Sequence, residues 1–301
     1  MRMTNSDLTS LAVFCSVVEH QSFLGAQVAL GLSQSAVSFH IKALEERFGF
    51  SLCQRGRRGF KLTDNGSVVF EKSRAIFGEL STFENEIGSL KKRISGTIRL
   101  GVVNNTVTDS HLPIHRMIAS LHRKAPDVLV CVEISSPESL ISGLGNGTLD
   151  LAILPETTRY PGIRWEPFRK EAHALYCGSE HPLFKKKIAE INVKTVEQHA
   201  FVVRPYAMML ELKHLPKALA RLTVSSMEAQ AMLVLSGLYL SYLPEHFGNA
   251  WVKRREMRSL SPKIPRIYSN FFIATRIEKR PSSLLLFVMK EFETILKSSS
   301  K

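Results

Sequence analysis

Long apolar runs are missing from this chain. None reaches the ~18 residues that a membrane-spanning helix needs, so no span is expected. The opening residues, MRMTNSDLTSLAVF, lack the basic-then-apolar stretch and small-residue cleavage site of an export signal, which leads us to expect a cytoplasmic protein. Cysteine is scarce: Cys15, Cys53, Cys131 and Cys177 lie far apart and form neither a CxxC pair nor a Cys/His ligand spacing. No metal site is expected, and a thiol switch, which needs a partnered and exposed thiolate, has no visible pair. Cys15 and Cys53 sit among apolar residues, as small core side chains do. Also absent are GxSxG, HExxH, a Walker loop and GxGxxG. Gly143–Gly147 is glycine-rich but precedes a strand pattern, the wrong order for cradling phosphate. The histidines are scattered: His111 and His115 share a helical stretch without a glutamate companion, and His173, His181 and His199 stand apart. An enzyme is therefore not the expected reading.

Acid is in deficit as well, and the net charge of +13 invites a nucleic-acid partner. The excess is unevenly placed, with only +3 in residues 1–93 and +10 in residues 94–301. Overall charge alone would put DNA on the wrong half. Arg55, Arg57, Arg58 and Lys61, however, fall within seven residues that contain no acid. From charge alone this cluster is either a phosphate-contacting loop or a solvated one.

What is present begins with 44% hydrophobic and 22% charged residues over 301 positions, the balance of a globular protein with two or more domains. Leu8, Leu11, Cys15 and Val18 mark a first amphipathic helix, and Ser22 to Leu30 a second that stops at Gly31. Ser33 can then cap a third by accepting from an exposed backbone N–H. In that helix Val37, Ile41, Leu44 and Phe48 recur at steps of 4, 3 and 4, one inward stripe. Ser35, Phe39, Lys42 and Glu46 lie opposite, with Gln34 and Ser38 beside the N-terminus. A short polar-tipped helix held on a small core suits a DNA major groove. The basic turn from Arg55 to Lys61, bounded by Ser51–Cys53 and Phe60–Leu62, reads as a wing.

Thr63-Asp64 opens a long helix in which Val69, Ser73, Ile76, Leu80, Phe83, Ile87, Leu90 and Ile94 step by 4 and 3 in turn. That is a coiled-coil seam, although a single helix lying on its own domain is the alternative. Beyond Ser95-Gly96 strands and helices alternate: Thr97–Val103, Asp109–Lys124, Val128–Ile134, Pro137–Asn146 and Leu149–Leu154. A second set follows, with strands Ala172–Cys177, Phe201–Arg204, Arg221–Val224 and Leu240–Leu243, and helices from Met208 and over Ser226–Ser236. Strand Asn270–Thr275 and helix Ser282–Lys297 close the chain. Two α/β lobes joined by two crossings make a clamshell with binding at strand C-terminal ends.

These features together resemble the LysR-type transcriptional regulators across nearly the whole chain. The resemblance rests on Ser22-Phe23, Ala26, Leu30-Gly31, Ser33-Gln34, Ala36-Val37-Ser38, Ile41, Leu44-Glu45, Gly49, Leu52, Arg55 and Leu62-Thr63-Asp64-Asn65-Gly66, and on Ser226 through Pro244. It implies an α/β protein with an all-α N-terminal part. A winged helix-turn-helix would span 1–62, a dimerisation helix 63–94, and an effector-binding domain 95–301 (lobe I 95–162 and 267–301, lobe II 163–266). Three positions depart from the family: Gln27 and Phe39 and Cys53 stand where Ala, Arg and Phe are usual. Phe39 takes a cation off the outward face, and its ring can meet a thymine methyl instead.

Carried over residue by residue, Gln34, Ser35, Ser38, Phe39 and Lys42 would face base edges and nearby phosphates, with Arg55, Arg57 and Arg58 in the wing. Effector candidates are Asn104, Asn105 and Thr106 after the first strand, Ser135 and Ser136 after the second, Arg204, and Ser225 and Ser226. Helix N–H groups at several of these points suit a carboxylate, and Arg204 can pair an acidic effector. The alternative for the serines is helix capping, since Ser225 and Glu228 have capping-box spacing and Ser136 precedes the helix at Pro137. The expected partners are double-stranded DNA, a second copy through the long helix and then a tetramer, and RNA polymerase, with a small-molecule effector and no cofactor. A solute-binding protein is the rival for the clamshell, but it would carry an export signal and no helix-turn-helix.

Overall fold

The computed structural model describes residues 2–56, 59–90, 94–261, 263–278 and 281–299. They divide into two compact units, the first made of the chain up to Glu84 together with Asn146–Thr148. Three helices, α1 (Asn5–Glu19), α2 (Phe23–Leu30) and α3 (Gln34–Phe48), precede an antiparallel hairpin, β1 (Cys53–Gly56) and β2 (Gly59–Leu62), and the long helix α4 (Asp64–Leu90). Each of the first three starts on a polar cap: Thr4 in a reciprocal pair with Asp7, Ser22 accepting from the Gly25 N–H, and Ser33 from that of Ala36. Gly31 and Gly49 close α2 and α3 at φ of 64° and 78°, a conformation that side-chain-bearing residues resist. Leu11, Phe14, Val17, Ala26, Val37, Ile41, Leu44 and Leu52 form the core beneath them. The hairpin strands run longer than their apolar pieces because backbone pairing continues from Cys53↔Leu62 to Gly56↔Gly59.

The expected seam on α4 divides in two. Val69 is half-buried against the first core and Ser73 is buried, so this end lies on its own domain. Ile76, Leu80, Phe83 and Ile87 are exposed. The side chain of Leu90 lies outside the described residues, and Ile94, beyond the helix end, packs on the core of the second unit. A Cβ on Gly66 would stand 2.0 Å from the Leu52 carbonyl oxygen, so only glycine lets α4 begin against the wing.

The second unit runs through β3 (Gly96–Val102), α5 (Ile114–Lys124), β4 (Val128–Ile134), α6 (Pro137–Gly145), β5 (Leu151–Pro155) and a long β6 (Ile163–Gly178). It continues through α7 (Val193–Val196), β7 (Ala200–Val203), α8 (Met208–Glu211), β8 (Leu219–Thr223), α9 (Met227–Leu235), β9 (Ser241–Pro244), α10 (Glu245–Lys253) and β10 (Met257–Ser259). It returns through β11 (Ile267–Arg276) to α11 (Ser283–Ser299). Buried clusters define two lobes, the second of which also holds one around Tyr176, Val234 and Leu243. Leu100, Leu121, Ile153 and Phe292 belong to the first, and Leu175, Phe201, Tyr242 and Ile264 to the second.

The lobes do not carry wholly separate parallel sheets. The crossing segments are themselves strands: β6 and β11 pair antiparallel along their length and join β3, β4, β5, β9 and β10 in one seven-stranded sheet. β7 and β8 pair apart from it, in parallel. The change of lobe falls inside β6, since Ile163, Trp165 and Phe168 still pack in the first core. There the register slips between Phe271 and Phe272, passing over Phe168, as at a β-bulge. The helix expected over 109–124 starts only at Ile114, because Asp109 accepts the His111 N–H in a turn and Pro113 precedes the helix. Helix α7, helix α10 and strand β10 were not expected. Among the described residues no helix is long and apolar enough to cross a membrane.

Candidate DNA interface and effector site

α3 is held rigidly. Asp7 pairs with Arg47 at 3.0 Å and Ser10 meets His40 Nδ1 at 2.9 Å, fastening α3 to α1. Glu45 Oε1 accepts from the backbone N–H of Leu52 (2.7 Å) and Cys53 (3.3 Å), which fixes the hairpin to the same helix. The Thr4 hydroxyl, against a smaller opposing effect of burial and helped by the Thr4 amide and Arg47, holds the Asp7 carboxyl below its ordinary value.

The outward face carries the expected residues. Gln34, Ser35, Phe39 and Lys42 are exposed and Ser38 is half-buried. Several polar groups there are already engaged: the Ser38 hydroxyl donates to the Gln34 carbonyl (2.8 Å), the Ser35 and Ser33 hydroxyls lie 2.9 Å apart, and Lys42 pairs with Glu46 at 3.5 Å. Ser33 itself caps the helix. The Arg55 backbone pairs with Phe60 in the hairpin, while its side chain and the whole of Arg57 and Arg58 lie outside the described residues.

In the second unit the effector candidates scatter. Asn104, Asn105 and Thr106 do share the loop after β3, where Asn105 takes φ of 62° and buries an Nδ2 with no hydrogen-bond partner among the described residues. Ser136 caps α6 through the Ser139 N–H, and its neighbour Ser135 lends a backbone N–H to Val102. The α9 cap is Ser226, not Ser225: its hydroxyl accepts from Ala229, so the Ser225–Glu228 capping box does not form.

Arg204 departs most from expectation. It is 3% exposed, and its Nε donates to Glu211 Oε1 at 2.8 Å while its Nη1 donates to the Tyr206 hydroxyl at 3.0 Å. Burial disfavours the guanidinium charge, but Glu211 more than offsets that and keeps Arg204 a firm cation. Gln230 joins the group by donating to Glu211 and, at 2.8 Å, to Ser241. Arg204 therefore completes a buried lobe II network and is not open to an acidic ligand.

A different set converges where the lobes meet. Arg169 Nη2 touches Asp109 Oδ2, in the loop after β3, and donates to Glu171 Oε1 at 2.8 Å. His246, in the first turn of α10, places Nε2 3.0 Å from Glu171 Oε1 and Nδ1 2.8 Å from the Thr108 hydroxyl. His173 Nε2 lies 2.9 Å from Glu171 Oε2, and the Arg169 guanidinium lies over the Phe271 ring at 5.1 Å. Burial would raise the Glu171 carboxyl, yet His173, His246 and Arg169 hold it far below the usual range. Burial also pushes the His173 imidazole down, only partly opposed by Glu171. Donor atoms of Asp109, Glu171 and His246 lie within 4.8 Å of one another, a spacing a metal ion could use. Two of those carboxylates already hold the Arg169 guanidinium, so the chain's own cation occupies that position. Beside them opens a cavity of about 250 Å³ lined by Asp109, His111, Arg169, Lys170, Glu245 and His246, among others.

Sequence reasoning missed Thr108, Asp109, Arg169, Glu171, His173 and His246 as a group. One signal was present: Arg169, Glu171 and His173 alternate along a strand that turns wholly buried from His173 onward, which sets three titratable side chains on one face.

Comparisons with known proteins agree with both halves. The family described as "LysR substrate binding domain" matches residues 91–294, and "Bacterial regulatory helix-turn-helix protein, lysR family" matches residues 8–67. The chain is 31% identical over 285 residues to the HTH-type transcriptional activator BauR of Pseudomonas aeruginosa, covering 94% of this chain and 93% of that one. It is 24% identical to the HTH-type transcriptional regulator CysL of Bacillus subtilis, over 92% of this chain and 98% of that one. Among solved structures, the LysR family transcriptional regulator CbnR aligns with a TM-score of 0.67 at 18% identity, over 98% of this chain and 99% of that one. CbnR has also been solved at full length with its target DNA; that structure aligns at 0.64 and 16% identity, over 96% of this chain and 99% of that one.

Proposed function

The chain belongs to the LysR family of DNA-binding transcriptional regulators, and we propose that it senses a small polar effector where its two lobes meet. Like its relatives it is a regulator and not an enzyme. In this reading Gln34, Ser35, Ser38, Phe39 and Lys42 line the major groove, and Arg55, Arg57 and Arg58 serve the phosphates from the wing.

The effector reading is carried by Arg169. It lines the junction cavity, and its buried Nε has no hydrogen-bond partner among the described residues. The cavity's mixture of carboxylates, cations and imidazoles favours a small ligand that both donates and accepts. An anionic effector loses its main support with Arg204 bonded internally. Asn104, Asn105 and Thr106 sit on the same loop as Thr108 and Asp109, and bind or position the ligand; the serine caps and Arg204 hold the lobes in shape.

Two copies pair through the exposed α4 residues Ile76, Leu80, Phe83 and Ile87. An apolar groove of about 360 Å³ between Met3, Phe48, Phe50, Val68 and Ile76 supports the same assembly. The exposed strands β4 and β8, with Leu129, Ile134 and Leu219 in the open, supply further edges for a tetramer. Effector binding then favours one lobe arrangement, shifts the paired DNA-reading heads and alters contact with RNA polymerase in the cytoplasm. Thermal-shift screening of the purified protein against polar metabolites, followed by footprinting on its selected operator, tests this reading. An effector that stabilises the protein and changes the footprint, and that Arg169→Gln no longer binds, is the expected result. An identical footprint with and without a demonstrated effector overturns it.

A further inference from the structure

Phe39 is the odd residue on the face of α3 that enters DNA. It is 68% exposed, and the ring contact found for it is edge-on to the neighbouring His40, with centroids 5.7 Å apart. Each residue advances about 100° around a helix, so Phe39 stands about 170° from the Val37–Ile41–Leu44 stripe. The stripe is fully inside, with those three residues at 0%, 3% and 1% exposure. The ring therefore projects straight away from the core.

Its neighbours leave the ring alone at the centre of that meridian. Ser35, one turn earlier, shares its hydroxyl with Ser33, and Lys42 with Glu46, further on, form an exposed ion pair. A large apolar ring held in water gains by covering apolar surface. In the major groove the apolar group on base edges is the thymine C5-methyl; the other edge groups are hydrogen-bond donors and acceptors.

We propose that Phe39 is a specificity-determining residue that packs on a thymine methyl in each half-site, so that this regulator reads one T·A pair by apolar contact. The proposal rests on α3 being the base-reading helix. It assigns Phe39 no phosphate contact, so the ring adds sequence preference and leaves the salt dependence of binding unchanged.

The test uses the full-length protein. An operator is first selected from random duplexes, and its thymines are then replaced singly by uracil, which keeps every hydrogen-bonding group and removes only the methyl. A single uracil at the contacted position weakens wild-type binding about fourfold, the value of one methyl-sized group returned to water. Phe39→Ala, an exposed substitution that leaves the core intact, binds the thymine and uracil duplexes alike. Phe39→Arg exchanges the preferred thymine for guanine on reselection. Equal wild-type affinity for thymine and uracil at every position overturns the proposal while leaving operator recognition standing. Enrichment of no sequence at all overturns the base-reading role of α3, and this proposal with it.

Discussion

The Thr108 hydroxyl lies 2.8 Å from His246 Nδ1, although the two residues are 138 positions apart and belong to different lobes. The other imidazole nitrogen meets Glu171, so one ring ties the β3 loop to α10 and to the crossing strand β6. Such a tie biases the lobes towards the arrangement seen here. His246→Ala removes both hydrogen bonds and should cost about 1–2 kcal/mol of stability. It should also raise effector-independent changes at the operator. Urea unfolding reads the first effect and footprinting without effector the second; an unchanged footprint would remove His246 from the coupling.

Arg169 should matter more. Arg169→Met leaves Asp109 and Glu171, at 3% and 5% exposure, facing each other without their cation. Breaking a buried pair from one side typically costs about 3–5 kcal/mol. The deficit relative to wild type should shrink between pH 7 and pH 5, because a carboxylate deprived of its cation takes up a proton more readily. Denaturation midpoints at the two pH values check this, and a deficit that grows on acidification contradicts it.

The contrast between α3 and this junction shows what the sequence could carry. Ser33, the Val37–Ile41–Leu44 stripe and Gly49 are local signals: a cap, a period and a left-handed stop within one segment. The lobes were legible for the same reason, through alternating apolar runs. The junction was not, because Asp109 meets Arg169 across 60 positions and Thr108 meets His246 across 138, by pairing of β6 with β11 and docking of α10. Arg204 misled for a related reason. A cation at a strand end looks available until its partner Glu211, seven residues on in α8, is folded back onto it.

Acid should weaken the fold through its buried imidazoles. Burial and the neighbouring His199 push the His181 imidazole down to about 4, and His173 and His199 are lowered as well. Below pH 6.5 the unfolded chain takes up protons that the folded chain refuses, so stability is full above that pH and falls towards pH 4. Glu171, whose folded value is depressed, adds its loss only below its ordinary 4.5. His181→Asn keeps an acceptor for the Leu183 N–H, which His181 Nδ1 takes at 3.1 Å, and should flatten the decline in melting temperature between pH 6.5 and 4.5. An equally steep decline in the variant would show that His181 contributes nothing to it.

Dimerisation should be sensitive to charge on the exposed half of α4. Leu80 and Phe83 are 42% and 58% exposed. Leu80→Glu or Phe83→Glu sets like charges against each other across a paired helix without disturbing the monomer's core. Sedimentation velocity should show a dissociated species that keeps its helical circular dichroism and loses affinity for a two-half-site operator. A variant that remains fully associated would place the interface elsewhere.

Thiol oxidants should leave DNA binding unchanged. Thiolate is the form that peroxide attacks, and burial pushes the thiols of Cys15 and Cys177 up to about 12. At pH 7 that leaves about one thiolate in a hundred thousand. Cys53 is half-buried in the wing and Cys131 lies exposed on β4, so alkylation of the native protein should mark Cys131 first and spare Cys15 and Cys177. Millimolar peroxide should keep operator affinity within twofold. A larger loss that reductant reverses, and that Cys177→Ser abolishes, would mean that the second lobe opens far enough to bring its core thiol to solvent.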